Sequence, residues 1–213
     1  MDFCFGGSTL KMLAQKDATD PFIVSRVPGT KLILVAKKKN YTKNLADVGF
    51  QFERYVTGGS MADTNSTIQV EHMHTMKVGN KTILFRAEVD AIDADDSAIE
   101  IKASNPQYWG TKVMFQMISS GSSKLCHGEK YRGSLSRVTL RGLSSVAASA
   151  LQYANVNNLQ KNILDGMDAI QSQLQDDGLY KVCFMKGKLI LAPASSRLFT
   201  LFPPNDVVES LLN

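Results

Sequence analysis

Two short acidic runs carry the residues best suited to chemistry in this 213-residue chain: Glu88-Val89-Asp90 and Glu100-Ile101-Lys102. Side chains alternate along a strand, so residues two apart share a face. Glu88 with Asp90, and Glu100 with Lys102, are therefore face-sharing pairs on two successive strands. Carboxylates crowded in this way repel one another and stay ionised together only beside a cation. Hard oxygen donors select Mg²⁺ or Mn²⁺. A lysine two residues beyond an acid can position or deprotonate a water that attacks phosphorus, while a metal stabilises the developing charge. The chemistry implied is metal-dependent hydrolysis of a phosphate bond. Acid-x-lysine tripeptides are also common on exposed strand faces, so the pattern by itself leaves a solvated surface open.

The elements that must position these residues follow from periodicity. Lys81 to Ile92 and Ala98 to Ala103 predict two strands forming a β-hairpin around the acidic turn Asp93 to Asp96. Thr30 to Ala36 and Ser136 to Leu143 predict further strands, and Ile68 to Met76 an edge strand. The segments from Val48 to Val56, Lys112 to Ser119 and Val156 to Gln175 predict helices. In the last of these Leu159, Ile163, Met167, Ile170 and Leu174 form an apolar core-facing stripe. Leu179 to Met185 and Lys188 to Ala192 predict two short strands about Lys186-Gly187. A short helix is expected in the tail after Pro203-Pro204. Strands and helices interleave without strict βαβ order, which predicts an α/β (α+β) fold with a mixed sheet and flanking helices. One domain spanning 1–213 is expected.

Charge is segregated although the net charge is only +4. Arg26 to Lys43 holds Arg26, Lys31, Lys37, Lys38, Lys39 and Lys43 and no acid. Gln107 to Arg141 holds Lys112, Lys124, Lys130, Arg132, Arg137 and Arg141 against Glu129. An acidic centre between basic flanks suits a polyanion held over a metal, with Lys112, Arg132 and Lys37 to Lys39 as substrate-binding candidates. Charge runs are also ordinary solvated surface. Cys4, Cys126 and Cys183 are scattered and odd in number, which points to a reducing compartment rather than a disulfide framework. Neither a signal peptide nor a membrane span is expected.

Beyond the acids, Gly49-Phe50-Gln51-Phe52-Glu53 precedes the strand pair, and Phe115-Gln116 follows it on a helix after Trp109. Gly121, His127-Gly128 and Arg132-Gly133 come next. In this order the elements resemble the eukaryotic mRNA-decapping nuclease family. That family includes decapping exoribonucleases and partner proteins of the nuclear 5′–3′ exoribonuclease. The resemblance spans GGSTLKML near the start to the FTLFPPNDVVESLL tail, and it implies a restriction-enzyme-like nuclease core. It also implies two divalent cations held by Glu53, Asp90 (bridging), Glu100 and the Ile101 backbone carbonyl, with Glu88 acting through water. Lys102 and Gln116 would hold the attacking water or the scissile phosphate. The implied substrate is RNA with a triphosphorylated or modified 5′ end, an exoribonuclease is an implied partner, and the implied setting is intracellular, the nucleus before the cytoplasm. The chain starts near the family's first motif, as a short member would, and has Gly6-Gly7 where that motif places an arginine before a glycine. The alternative reading is therefore a catalytically weak or inactive member that binds RNA 5′ ends or stabilises an exoribonuclease.

Three other features are weighed against ordinary structure. His72 and His74 could ligate a metal, but an exposed edge strand is the preferred reading without a third ligand nearby. Cys126 and His127 read as loop residues beside Gly128. Trp109 is open between stacking on a base and burial beside the Gln116 helix.

Overall fold

The computed structural model describes residues 1–6, 8–17, 21–37, 47–58, 70–106, 109–132, 134–152, 154–195, 197, 198 and 202. Lys38, Lys39, most of the loop from Gly58 to Ser66 and most of the tail lie outside the described residues.

The described strands form two mixed sheets, and the mixed α/β class expected from the sequence is the observed one. The larger contains β1 (Phe3–Gly6), β2 (Phe22–Arg26), β3 (Ile33–Ala36), β4 (Val70–Val78), β5 (Lys81–Val89), β10 (Leu179–Met185) and β11 (Lys188–Pro193), in the order β11-β10-β2-β3-β1-β5-β4. The smaller contains β6 (Ala91–Ile92), β7 (Ala98–Ala103), β8 (Lys124–Tyr131) and β9 (Ser134–Gly142), in chain order. Pairing is parallel for β1 with β3 and for β7 with β8. It is antiparallel for β2 with β3 and for β8 with β9. The helices are α1 (Thr9–Gln15), α2 (Val48–Val56), α3 (Lys112–Ser120), α4 (Leu143–Ala150) and α5 (Val156–Gln173).

The chain divides into two compact units, one of residues 1–39, 75–84 and 160–213, the other of 40–74 and 85–159. In the first, Phe3, Phe5, Ile33 and Leu13 are fully buried, and Met167 and Ile170 on the predicted stripe of α5 are buried with them. Gly166 lets α5 approach α1: an added Cβ would stand 2.8 Å from Leu13 Cδ2. In the second unit, α2 and α3 both pack on β7, and α4 packs on α3 and β9. Its core holds Phe52, Phe85, Met117 and Leu125.

One predicted element is wrong in a way that matters. The run Lys81 to Ile92 is not one strand of a hairpin. It leaves the larger sheet at Val89, bends at Asp90 and enters the smaller sheet for two residues, Ala91 and Ile92. Only those two pair with β7. Glu88 and Asp90 therefore do not share one strand, because Asp90 occupies the bend between sheets. Cys126 and His127 are likewise strand rather than loop. They lie on β8, which is flanked by β7 and β9, so their backbone groups are consumed by both neighbours.

His72 and His74 project from β4, the edge of the larger sheet, as the preferred reading required. Both serve the end of α3. The last carbonyls of a helix lack partners within it, and here His72 Nδ1 meets the Ser120 carbonyl at 2.9 Å while His74 Nε2 meets that of Ile118 at 3.0 Å. Gly121 caps the helix with φ of +72°, and an added Cβ would lie 2.9 Å from His72 Nδ1 and 3.0 Å from His74 Nδ1. Gly121→Ala should thus cost about 1–3 kcal/mol in urea unfolding, from crowding and from left-handed strain together. Adding His72→Ala should recover the His72 share of the crowding, and an unchanged loss in that background would show that His72 is not the obstacle.

Candidate active site

Helix α2 begins at Asp47, whose side chain accepts from the Gly49 N–H at 2.8 Å and caps the first turn. Phe52 faces inward and is fully buried, and the next residue, Glu53, lies close enough to Glu100 for its charge to act there. Gly128 on β8 makes room for this arrangement: a Cβ there would stand 3.0 Å from the Phe52 ring and 2.9 Å from Leu135. Strand β7 then places Glu100 inward, at 4% exposure.

Before two-residue β6 begins, the Ile101 N–H has no ladder partner on that side. The Asp90 carboxylate takes that place, with Oδ2 accepting at 2.7 Å. The bend that breaks the strand thereby aims Asp90 at the middle of β7. Lys102 completes the group. Its Nζ stands 2.5 Å from Glu100 Oε1, 3.2 Å from Asp90 Oδ2 and 2.9 Å from the Ile101 carbonyl. One positive charge is thus gripped by two carboxylates and a backbone carbonyl. Burial lifts the Glu100 carboxyl above the usual range; the Lys102 ammonium opposes that shift, while the charges of Asp90 and Glu53 add to it. For Lys102, burial favours the neutral amine, yet the Glu100 and Asp90 carboxylates outweigh it and hold the ammonium above its ordinary range.

The donor set fits a hard divalent cation, because Asp90, Glu100 and the Ile101 carbonyl already converge as oxygens on one cationic point. Among the described residues no three His, Cys, Asp or Glu side chains close around a single point, so the third oxygen here is a backbone one. Gln116, on the helix α3 that packs on β7, has a buried Oε1 with no hydrogen-bond partner among the described residues, an acceptor left open. Glu88 is half-buried on β5, two residues before the bend. Lys112 is exposed in the first turn of α3, and Arg132 is exposed at the turn between β8 and β9 with φ of +48°. Lys37 follows β3 in the other unit, and Lys38 and Lys39 lie outside the described residues.

No protein-family model and no curated protein sequence matches the chain. Solved structures do. S. pombe Rai1 in complex with 3′-FADP superposes with a TM-score of 0.69 at 15% identity, over 92% of this chain and 73% of that one. The chain has the Rai1 fold. Scheffersomyces stipitis Rai1 in complex with (3′-NADP)⁺ and calcium ion gives 0.68 at 15% identity, over 93% and 70%. Candida albicans Rai1 in complex with pU5-Mn²⁺ gives 0.66 at 15% identity, over 100% and 76%. Rai1 proteins are of the decapping-nuclease family that the sequence motifs resemble.

Sequence reasoning missed a cluster tied to the end of β7. Trp109 donates its indole N–H to Ser104 Oγ at 2.6 Å, and His127 Nε2–H donates to the Ser104 carbonyl at 2.8 Å. Trp109 and His127 meet edge to face at 4.6 Å, and both are buried. No linear motif marks this cluster, since it depends on which residue of β8 lies beside β7. Burial, with the nearby Arg141 charge assisting, holds the His127 pKa below the ordinary value, so the ring is neutral in the folded protein. An unfolded histidine protonates near pH 6.5 and the folded one only at lower pH. Stability from this group is therefore complete above about pH 6.5 and is lost as the pH falls through the folded pKa. Going from about pH 7.5 to about pH 5.5, His127→Phe should lose less stability than the wild type in urea unfolding. Equal losses would mean that His127 does not titrate between the two states.

Proposed function

We propose that the chain is a metal-dependent hydrolase of RNA 5′ ends. It removes pyrophosphate or an incomplete or non-canonical cap, with 5′–3′ exoribonuclease activity as an accompanying capacity. The observation that carries this reading is the convergence of Asp90, Glu100 and the Ile101 carbonyl on one positive charge, within the EVD and EIK motifs. In this reading Glu53, Asp90, Glu100 and the Ile101 carbonyl hold Mg²⁺ or Mn²⁺, two ions in all, with Glu88 joined through water. The ions would supply charge stabilisation at the reacting phosphate. Lys102 and Gln116 orient the attacking water or the scissile phosphate. Lys112, at the positive end of the α3 dipole, Arg132 and Lys37 to Lys39 attract the RNA backbone.

Support comes from the nucleotide, RNA and divalent-cation complexes of proteins with the same fold. Among the described residues no helix is long and apolar enough to cross a membrane. The setting we propose is inside the cell, in the nucleus before the cytoplasm. The whole chain acts as one nuclease domain in this account. A second reading, a non-catalytic binder of RNA 5′ ends or of a 5′–3′ exoribonuclease, is favoured by Gly6. It offers no charge where the resemblance places an arginine, and among the described residues a Cβ there would meet only Val35 O, at an ordinary 3.6 Å.

The test is release of label from 5′-triphosphate, monophosphate, capped and nicotinamide-capped RNAs in Mg²⁺ or Mn²⁺. The wild type should act on at least one end. Asp90→Asn keeps an acceptor for the Ile101 N–H but loses the charge, and should slow that reaction by about 10³-fold or more with the fold intact. Wild type and Asp90→Asn equally inert on every end would replace the enzyme by the binding protein.

A further inference from the structure

Register across the smaller sheet lines up residues far apart in sequence. Glu100 of β7 pairs with Leu125 of β8, and Leu125 pairs with Arg141 of β9. Residues paired across strands point to the same face. Arg141 therefore stands on the face that carries Glu100 and Lys102, two strand spacings away, or about 9–10 Å between backbones.

The Arg141 guanidinium lies 5.7 Å from the centroid of the Trp109 ring. That ring is fixed from two sides, by its bond to Ser104 and by the edge of His127. Ser104 follows Lys102 by two residues, and it also receives the His127 N–H, so the platform is anchored to the strand that bears the candidate catalytic pair. A cation–π contact of this kind consumes none of the guanidinium N–H donors, which stay available to another partner. Among the described residues no carboxylate forms an ion pair with Arg141. A fork of donors that is held in place, charged and not consumed among the described residues matches a phosphate.

We propose that Arg141, held on Trp109, is a phosphate-binding residue of the candidate active site. It grips either a phosphodiester of the RNA strand or its terminal 5′-phosphate. The inference rests on the RNA 5′-end reading and adds to it a residue that no acidic or lysine motif marks.

Binding of a five-nucleotide uridine RNA, with and without a 5′-phosphate, tests it by fluorescence anisotropy in metal-free buffer, where no cleavage intervenes. Arg141→Gln should weaken binding about tenfold, equivalent to about 1.4 kcal/mol. The dependence on salt should become shallower by about one phosphate contact. Arg141→Lys keeps the charge without the planar fork and should fall between the two. Loss for both RNAs assigns a phosphodiester contact, and loss confined to the phosphorylated one assigns the terminal phosphate. If the wild type binds RNA and Arg141→Gln binds it equally with the same salt dependence, Arg141 is surface and the inference fails while the enzyme reading stands. If the wild type binds neither RNA yet releases label from an RNA 5′ end in Mg²⁺ or Mn²⁺, the inference fails alone; if it does neither, both fail together.

Discussion

A carboxylate sealed from water must have positive charge beside it, and Glu100 is 4% exposed on an interior strand. In this structure the Lys102 ammonium supplies that charge, reached from two residues along the same strand. The ammonium has a second carboxylate, Asp90, and the carbonyl of the residue between, so its own desolvation is offset by three oxygens. Removing either partner of such a group leaves a buried charge uncompensated, which typically costs about 3–5 kcal/mol when the pair is fully enclosed. Lys102 and Asp90 retain side-chain exposures of 25% and 21%, so solvent reduces that cost here. Glu100 is therefore the member most dependent on a neighbouring cation.

The junction between the two sheets is what brings the second carboxylate in. A continuous strand from Lys81 to Ile92 would have given Ile101 a backbone acceptor. The bend at Asp90 substitutes a carboxylate, which satisfies the same N–H while adding a negative charge to the cluster. Local structure nearby reinforces the bend. Asp93 Oδ1 accepts from the N–H groups of Asp95 and Ser97 and closes the turn into β7, and its other oxygen pairs with Lys124 of β8. These bonds hold the Asp93 carboxyl below the usual range, the Lys124 pair contributing most. The acidic turn Asp93 to Asp96 is thus a structural clasp that ties the start of β7 to β8.

Much of this was legible in the residues themselves. The strands carrying Lys81 to Val89 and Ala98 to Ala103, the helices at Lys112 and Val156, and the mixed class follow from periodicity and turn residues, whereas the helix at Val48 rests on an ambiguous periodicity. Glu53, Asp90, Glu100 and Lys102 were singled out, and all four belong to one compact unit. What was not legible depends on pairing between segments. Nothing in Lys81 to Ile92 announces that the chain changes sheets at Asp90, because both halves are equally apolar. Cys126-His127-Gly128 read as a loop since a histidine and a glycine weaken a strand pattern, whereas partners on both sides of β8 impose one. The short strands β1 and β2, the helix α1, and the helix Leu143–Ala150, rich in serine and alanine, carry too few periodic positions to be recognised alone.

The central claim is that Asp90, Glu100 and the Ile101 carbonyl form a cation site that Lys102 balances when no metal is bound. The direct measurement is anomalous diffraction from crystals soaked in Mn²⁺, recorded with metal-free crystals for comparison. The account predicts anomalous density against the Asp90 and Glu100 carboxylates and the Ile101 carbonyl, with the Lys102 Nζ displaced from its metal-free position. Density at His72 and His74 instead, or none at Asp90 with Lys102 still bound to both carboxylates, would contradict it.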